Sequence, residues 1–286
     1  MAGFGRHGAL ADAIEQGQSF YATWRKSPSA ATTIGIWNDL SMAPGNPFPN
    51  YYASSPLVAA TLNGDEGIRH GGPVAPLTKH LKSLMMLTTT STALPLTAVL
   101  CDYLLYYPFV DMGTSDPQAM TNTVALPRYA DGEGVQIMAV ITNPPGAPSG
   151  LPFTVDYVDQ DGAAKTTPVN YFGAGVVTGT LATTDRAVAG LSGPFVCLDP
   201  SSTGVRSITG FTMTAGLDVG LLSLVLVRPL ATHGIRGIDA PVERDYALDF
   251  PSLPRIVDGA FLGLIACPSG SLAATAIHGT ITTTWN

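Results

Sequence analysis

Side chains able to do chemistry are few and scattered in this sequence. Asp156, Asp159 and Asp161 crowd one predicted turn in "DYVDQDG". Three carboxylates so close suit a hard cation such as calcium. The order lacks the D-x-[DN]-x-[DN]-G of an EF-hand loop, however, and equally describes an acidic hairpin tip. Asp102, Asp111, Asp245 and Asp249 are acids that a fold could pair for glycosidic hydrolysis, which needs two carboxylates at a fixed separation. "CDYLLYYPF" at 101–109 adds an aromatic strip. Strand alternation puts Tyr103, Tyr107 and Phe109 on one face, as sugar stacking requires and as a half-buried sheet also explains. Histidines 7, 70, 80, 233 and 278 have no ligand spacing. Nucleophile-elbow, zinc-protease and P-loop patterns are absent. "GAGVVTG" at 173–179 misses a dinucleotide fingerprint by one residue and reads as a glycine-rich turn. No catalytic residue, metal ligand or cofactor site is assigned, and the chain reads as a non-enzyme.

Composition narrows the partners. The 286 residues carry 14 Lys and Arg against 21 Asp and Glu, a net charge of -7. Arg25 and Lys26 are the only adjacent basic pair, so the clustered cations that hold phosphate backbones are missing and nucleic acid is not an expected partner. Neither a cationic amphipathic helix nor an apolar run of roughly 18 residues points to a membrane. Asp12 and Glu15 stand where a signal peptide needs apolar residues. Cysteines 101, 197 and 267 are odd in number, far apart and set in apolar runs, which suits buried free thiols made in a reducing cytoplasm. Charged residues make up only 12%, and a surface so poor in charge is often one that something else covers, the alternative being simply an acidic soluble protein.

The elements that must position these residues are mostly strands. Residues 8–26 are expected to form one short helix, and 77–87 a second, with Leu77, Leu81, Leu84 and Met85 on one face. Between them, residues 28–76 hold 7 Pro, 6 Gly and 4 charged residues, with no sustained period. From 96 onward come strand-like runs: 96–111, 134–142, 204–214 and 219–227, the last apolar on both faces and so a central strand. Asp161-Gly162 is a hairpin turn signal between 152 and 171. Ile277, Ile281 and Trp285 alternate with polar residues in the closing run. The expected fold is mainly β: an antiparallel β-sandwich, jelly-roll-like, over 96–286, preceded over 1–95 by a short helix, an extended Gly/Pro-rich arm and a second short helix.

The arm raises the question of partners. Its 49 residues reach about 160 Å at about 3.3 Å each. "GNPFPNYYASSP" at 45–56 is proline-laden, aromatic and uncharged. Ordering so long a segment takes extensive apolar cover, and that cover is expected on a neighbouring subunit, the alternative being an arm wrapped on its own domain. The expected contact residues are Trp37, Phe48, Tyr51, Tyr52, Leu81, Leu84 and Met85. Deleting 28–76 is expected to leave a foldable sandwich that no longer assembles.

This order of helix, arm and Ala/Thr/Gly-rich sandwich resembles virion structural proteins of tailed bacteriophages. The stretches that carry the likeness are "TNTVALPRYADGEGVQIMAVITNPPG" and "VDGAFLGLIACPSGSLAATAIHGTITTTWN". The similar kinds are capsid decoration (cement), head-fibre and tail accessory proteins. The resemblance implies a non-enzymatic structural protein located in the virion and made in the host cytoplasm. It would bind other virion subunits and copies of itself through its arm and sandwich edges. The alternative is a carbohydrate-binding or polysaccharide-degrading tail protein that meets a host glycan through Tyr103, Tyr107 and an Asp pair.

Overall fold

The computed structural model describes residues 4–146, 150–173, 176–183, 193–217, 219–238, 240–249 and 253–286. Helix α1 (His7–Glu15) is shorter than expected. Gly17, at φ +77°, turns the chain out of it, with the Gly17 N–H on Ile14 O and the Gln18 N–H on Ala13 O. The rest of the supposed helix is strand β1 (Ser19–Lys26). There Ala22, Trp24 and Lys26 are buried while Tyr21, Thr23 and Arg25 are exposed, the period of two that a half-buried strand shows.

The second expected helix, at 77–87, is also a strand, β2 (Lys79–Thr88). Lys82 is an extra residue between Leu81 opposite Thr283 and Ser83 opposite Thr282, so Leu81, Leu84 and Met86 share one core face at a spacing that mimics a helix. The other long strands are β3 (Leu96–Asp111), β4 (Gln136–Asn143), β5 (Pro152–Asp159), β6 (Val205–Met213), β7 (Leu221–Ile235), β8 (Phe261–Pro268) and β9 (Ile277–Trp285). The protein is mainly β, with few helices and three antiparallel sheets. Among the described residues, no helix is long and apolar enough to cross a membrane.

The first sheet runs Val242–Asp245, β2, β9, β1, Gly45–Asn46. The central sheet runs Asn38–Asp39, β8, β3, β7, β4, and the third runs Ala164–Thr166, β5, β6, Gln118–Ala119. β9 pairs with β1 from Ser19 opposite Thr284 to Lys26 opposite Ile277, and with β2 on its other edge. The first sheet therefore draws on both sides of the 95/96 boundary expected from sequence character.

Long strands β3 and β7 let one central sheet serve two sandwiches. Leu96, Ala98 and Leu100 face the first sheet, in a core with Leu81, Leu84, Ile277 and Ile281. Leu104, Leu105 and Tyr107 face the third sheet, in a core with Phe153, Val155, Ile208 and Phe211. The register makes this possible: Tyr103 pairs with Val227 and Leu105 with Leu226, so Leu104 is an extra residue. Such a bulge shifts the alternation by one and keeps apolar side chains on the same side of the sheet. The opposite side, carrying Val99, Cys101, Tyr103, Tyr106 and Val225, is covered by Met42, Tyr52 and Leu62 from the arm.

At the junction of the two sandwiches sits Asp102, fully buried and held by Arg128. Arg128 Nε donates to Oδ2 at 2.9 Å and Nη2 to Oδ1 at 2.8 Å. Burial pushes the Asp102 carboxyl up to about 6 even with the guanidinium pulling it down.

Trp24 and Gly279 are direct cross-strand partners, and a Cβ at Gly279 would overlap the indole. Gly279→Ala is expected to cost about 1–3 kcal/mol through overpacking, read by urea unfolding. Adding Trp24→Leu should cost less than the sum of the two single changes, since the clash with the ring goes while the 2.6 Å approach of the new Cβ to Met85 O stays.

Candidate interaction surface

The arm does not float. It follows β1 and is fixed by two buried lysines, one at each end of its course. At the first clamp, Lys26 Nζ donates to Ser41 O at 3.3 Å, Ala43 O at 3.1 Å and Pro47 O at 2.9 Å. A proline-rich segment makes few ladder bonds, so its carbonyls need other donors, and an ammonium supplies three. Burial lowers the Lys26 pKa to about 8, against the pull of Asp39.

Asp39 is the acid of this clamp. It is 3% exposed and caps the turn at Leu40–Met42, accepting from Ser41 N at 2.8 Å and Ser41 Oγ at 2.8 Å. It also accepts from Tyr103 Oη at 2.8 Å and, through a short bond, from Tyr52 Oη. Burial raises its carboxyl pKa, and the bonds from Tyr52, Tyr103 and Ser41 work against that rise. Both tyrosines are pushed well above their ordinary range, chiefly by burial. The arm is thereby locked to β3.

Lys79, wholly buried at the start of β2, makes the second clamp. Its three N–H donors are shared among Gly71 O at 3.1 Å, Gly72 O at 2.7 Å, His70 Nδ1 at 3.3 Å and Asp258 Oδ1 at 3.2 Å. With Nδ1 accepting, His70 is neutral and its Nε2–H donates to Ala260 O at 2.9 Å. Burial, with the Lys79 charge beside it, lowers the His70 pKa to about 4.

Between the clamps the arm presents a rigid turn. Phe48 is 88% exposed and Tyr51 61%, while the next residue, Tyr52, is 1% exposed. Asn50 Oδ1 accepts from the Tyr52 N–H at 3.2 Å, and Tyr52 has φ +51°. That backbone turns one tyrosine out and the other in. Trp37 is half-buried against the arm-side core, and its carbonyl accepts from the Leu181 N–H at 2.9 Å. Met85 is half-buried on β2. Leu81 and Leu84 are wholly buried in their own core, because residues 77–87 form a sheet strand and no free helix face exists. The contact set that sequence spacing proposed is thus split: Phe48 and Tyr51 are exposed, Trp37 and Met85 half-buried, and Tyr52, Leu81 and Leu84 buried in their own chain.

The sugar-binding arrangement does not form. Tyr103 and Tyr107 are both fully buried, and the bulge at Leu104 sends them to opposite faces of the sheet. Asp102 is closed off by Arg128, Asp245 bonds Lys82 at 3.0 Å, and Asp111 accepts from the Gly113 N–H. The Asp249 side chain, and residues 174–175 of the glycine-rich stretch, lie outside the described residues. Asp159 Oδ1 accepts from the Asp161 and Ala163 N–H groups, which makes it a hairpin capping residue. Among the described residues, no group of three His, Cys, Asp or Glu side chains could hold a metal. The cysteines are free, but only Cys101 is buried; Cys197 is exposed and Cys267 half-buried.

Sequence reasoning overlooked Lys26, Asp39, His70 and Lys79. A signal existed for Lys26, which continues the inward series Ala22, Trp24 of β1. A charge at an inward position must find partners inside.

Two outcomes follow from the clamps. Tyr52→Phe removes one donor to a buried carboxylate and should cost about 1–3 kcal/mol, whereas Phe48→Ala should stay within about 0.5 kcal/mol, both by urea unfolding. His70 is neutral when folded down to about pH 4, while the unfolded chain protonates near 6.5. Its contribution is therefore complete above pH 6.5 and is lost as pH falls toward 4, on the order of 3 kcal/mol. Asp102 acts in the opposite sense: its raised carboxyl favours the folded state at low pH, an advantage lost as pH rises through about 6. The two offset each other, so His70→Gln isolates one of them. The variant should gain on the wild type in unfolding free energy between pH 7 and pH 4.5; an unchanged difference would contradict a neutral His70.

No protein-family model matches the chain, and no curated protein matches it. Among solved structures it is similar to a chain in a structure of infectious bursal disease virus Gt strain, at 9% identity over 93% of this chain and 80% of that one, TM-score 0.18. It is also similar to a chain in the 2.6 Å structure of infectious bursal virus derived T=1 particles, at 10% identity over 93% and 77%, TM-score 0.15.

Proposed function

We propose that the chain is a non-enzymatic structural subunit of a virus particle, made in the host cytoplasm, that grips neighbouring subunits or copies of itself through its arm. One observation carries the reading. Phe48 and Tyr51 stand 88% and 61% exposed on a segment whose two ends are clamped by buried lysines. Exposed aromatics on a flexible tail would lose conformational freedom on binding, but here that ordering has already occurred in folding. Large aromatics in a fixed setting are what interface hot spots are made of. Tyr21, 61% exposed on β1, adds a third on the same sheet system. The decoration or head-fibre role within a tailed phage is the sequence resemblance carried forward, and the two virus chains similar to this one add no weight to it.

The arm now has a second duty, because it covers one face of the central sheet. Deleting 28–76 would strip Met42, Tyr52 and Leu62 from Val99, Cys101 and Tyr103, so that deletion is expected to unfold the chain rather than leave an orphan sandwich. The test is a point variant. Phe48→Ala with Tyr51→Ala should keep the melting temperature within a few degrees and reduce assembly or particle attachment at least about tenfold, the scale of hot-spot loss, measured by sedimentation velocity and particle co-sedimentation. Unchanged association with an unchanged fold would sink the reading.

A further inference from the structure

We propose that the cleft beneath residues 63–73 binds an anionic oxygen group, of carboxylate or phosphate type, between Arg69 and the unoccupied corner of Arg128. The cleft has a volume of about 730 Å³. Its walls include Phe20 of β1, Asp65, Arg69, His70 and Arg128. Such a volume, with one aromatic wall and a few convergent polar groups, is what small-ligand sites share.

Arg128 supplies the fixed donor. The residue is only 9% exposed. Nε and Nη2 are taken by Asp102, and Nη2 also by Tyr103 O at 2.9 Å. That side-on grip leaves Nη1 with no hydrogen bond among the described residues, on a residue that lines the cleft. Asp102 thus holds the guanidinium rigid and leaves its third nitrogen as a preorganised donor. Arg69 supplies the second: it is exposed and forms no ion pair among the described residues.

The remaining charges around the cleft are accounted for. Lys79 and Asp258 satisfy each other behind His70, whose two nitrogens are both engaged. Asp65 forms no ion pair and opposes an anion, which sets the direction of one variant below. A Cβ at Gly72 or Gly259 would meet nothing within 4 Å, so the backbone leaves the cavity open.

The anion has two possible sources, a free small molecule or a carboxylate on a neighbouring chain, and the site itself does not depend on the particle reading. The full-length chain, Arg69→Ala and Asp65→Asn would be titrated with inorganic phosphate and with succinate, following amide chemical shifts at Gly71 and Gly72. Self-association of the same chains would be followed by sedimentation equilibrium. Saturable shifts that weaken about fivefold or more in Arg69→Ala, and strengthen in Asp65→Asn, support a free anion. Self-association that weakens in Arg69→Ala without small-anion shifts supports a neighbour's carboxylate. Arg69→Ala indistinguishable from wild type in both measurements, or no shift and no association in the wild type, overturns the site.

Discussion

The structure depends on how the backbone carbonyls of a proline-rich segment are satisfied. Seven prolines among residues 28–76 remove the donors that would knit this segment into a sheet. Its carbonyls still need partners wherever water is excluded. Two lysines from strands that flank β9 meet that need: Lys26 bonds three arm carbonyls, and Lys79 two more. The cost of burying each charge is offset by these bonds and by Asp39 and Asp258 nearby. With the arm held, one face of the central sheet is closed, Tyr52 is drawn in, and Phe48 and Tyr51 are left outside.

The strands from 96 onward were legible because their patterns were unambiguous. Residues 219–227, apolar on both faces, became the centre of a sheet, and Asp161-Gly162 became a hairpin turn with Gly162 at φ +81°. The two helix expectations failed for opposite reasons. In β1 a true period of two was hidden because Lys26, a buried charge, looked like a surface residue. In β2 the extra residue Lys82 broke the alternation, and Leu81, Leu84 and Met85 fitted a helix face without forming one.

The site was half legible. Composition pointed to an arm with exposed aromatics, and Phe48 and Tyr51 are exposed on it. Nothing in "NYYAS" distinguishes Tyr51 from Tyr52, since the difference lies in the positive φ at Tyr52 and in Asp39, which is 13 residues away in sequence. The aromatic strip at 103–109 misled because alternation was counted without the inserted Leu104. A bulge is a register property of two strands, and one strand's sequence does not show it.

The unbroken β3 and β7 have a mechanical corollary. A strand of 16 residues spans about 50 Å at about 3.3 Å per residue. Because these strands run through both sandwiches, they act as a beam common to the two. A load directed along them would meet the ladder between β3 and β7 in shear, with many hydrogen bonds sharing the strain at once.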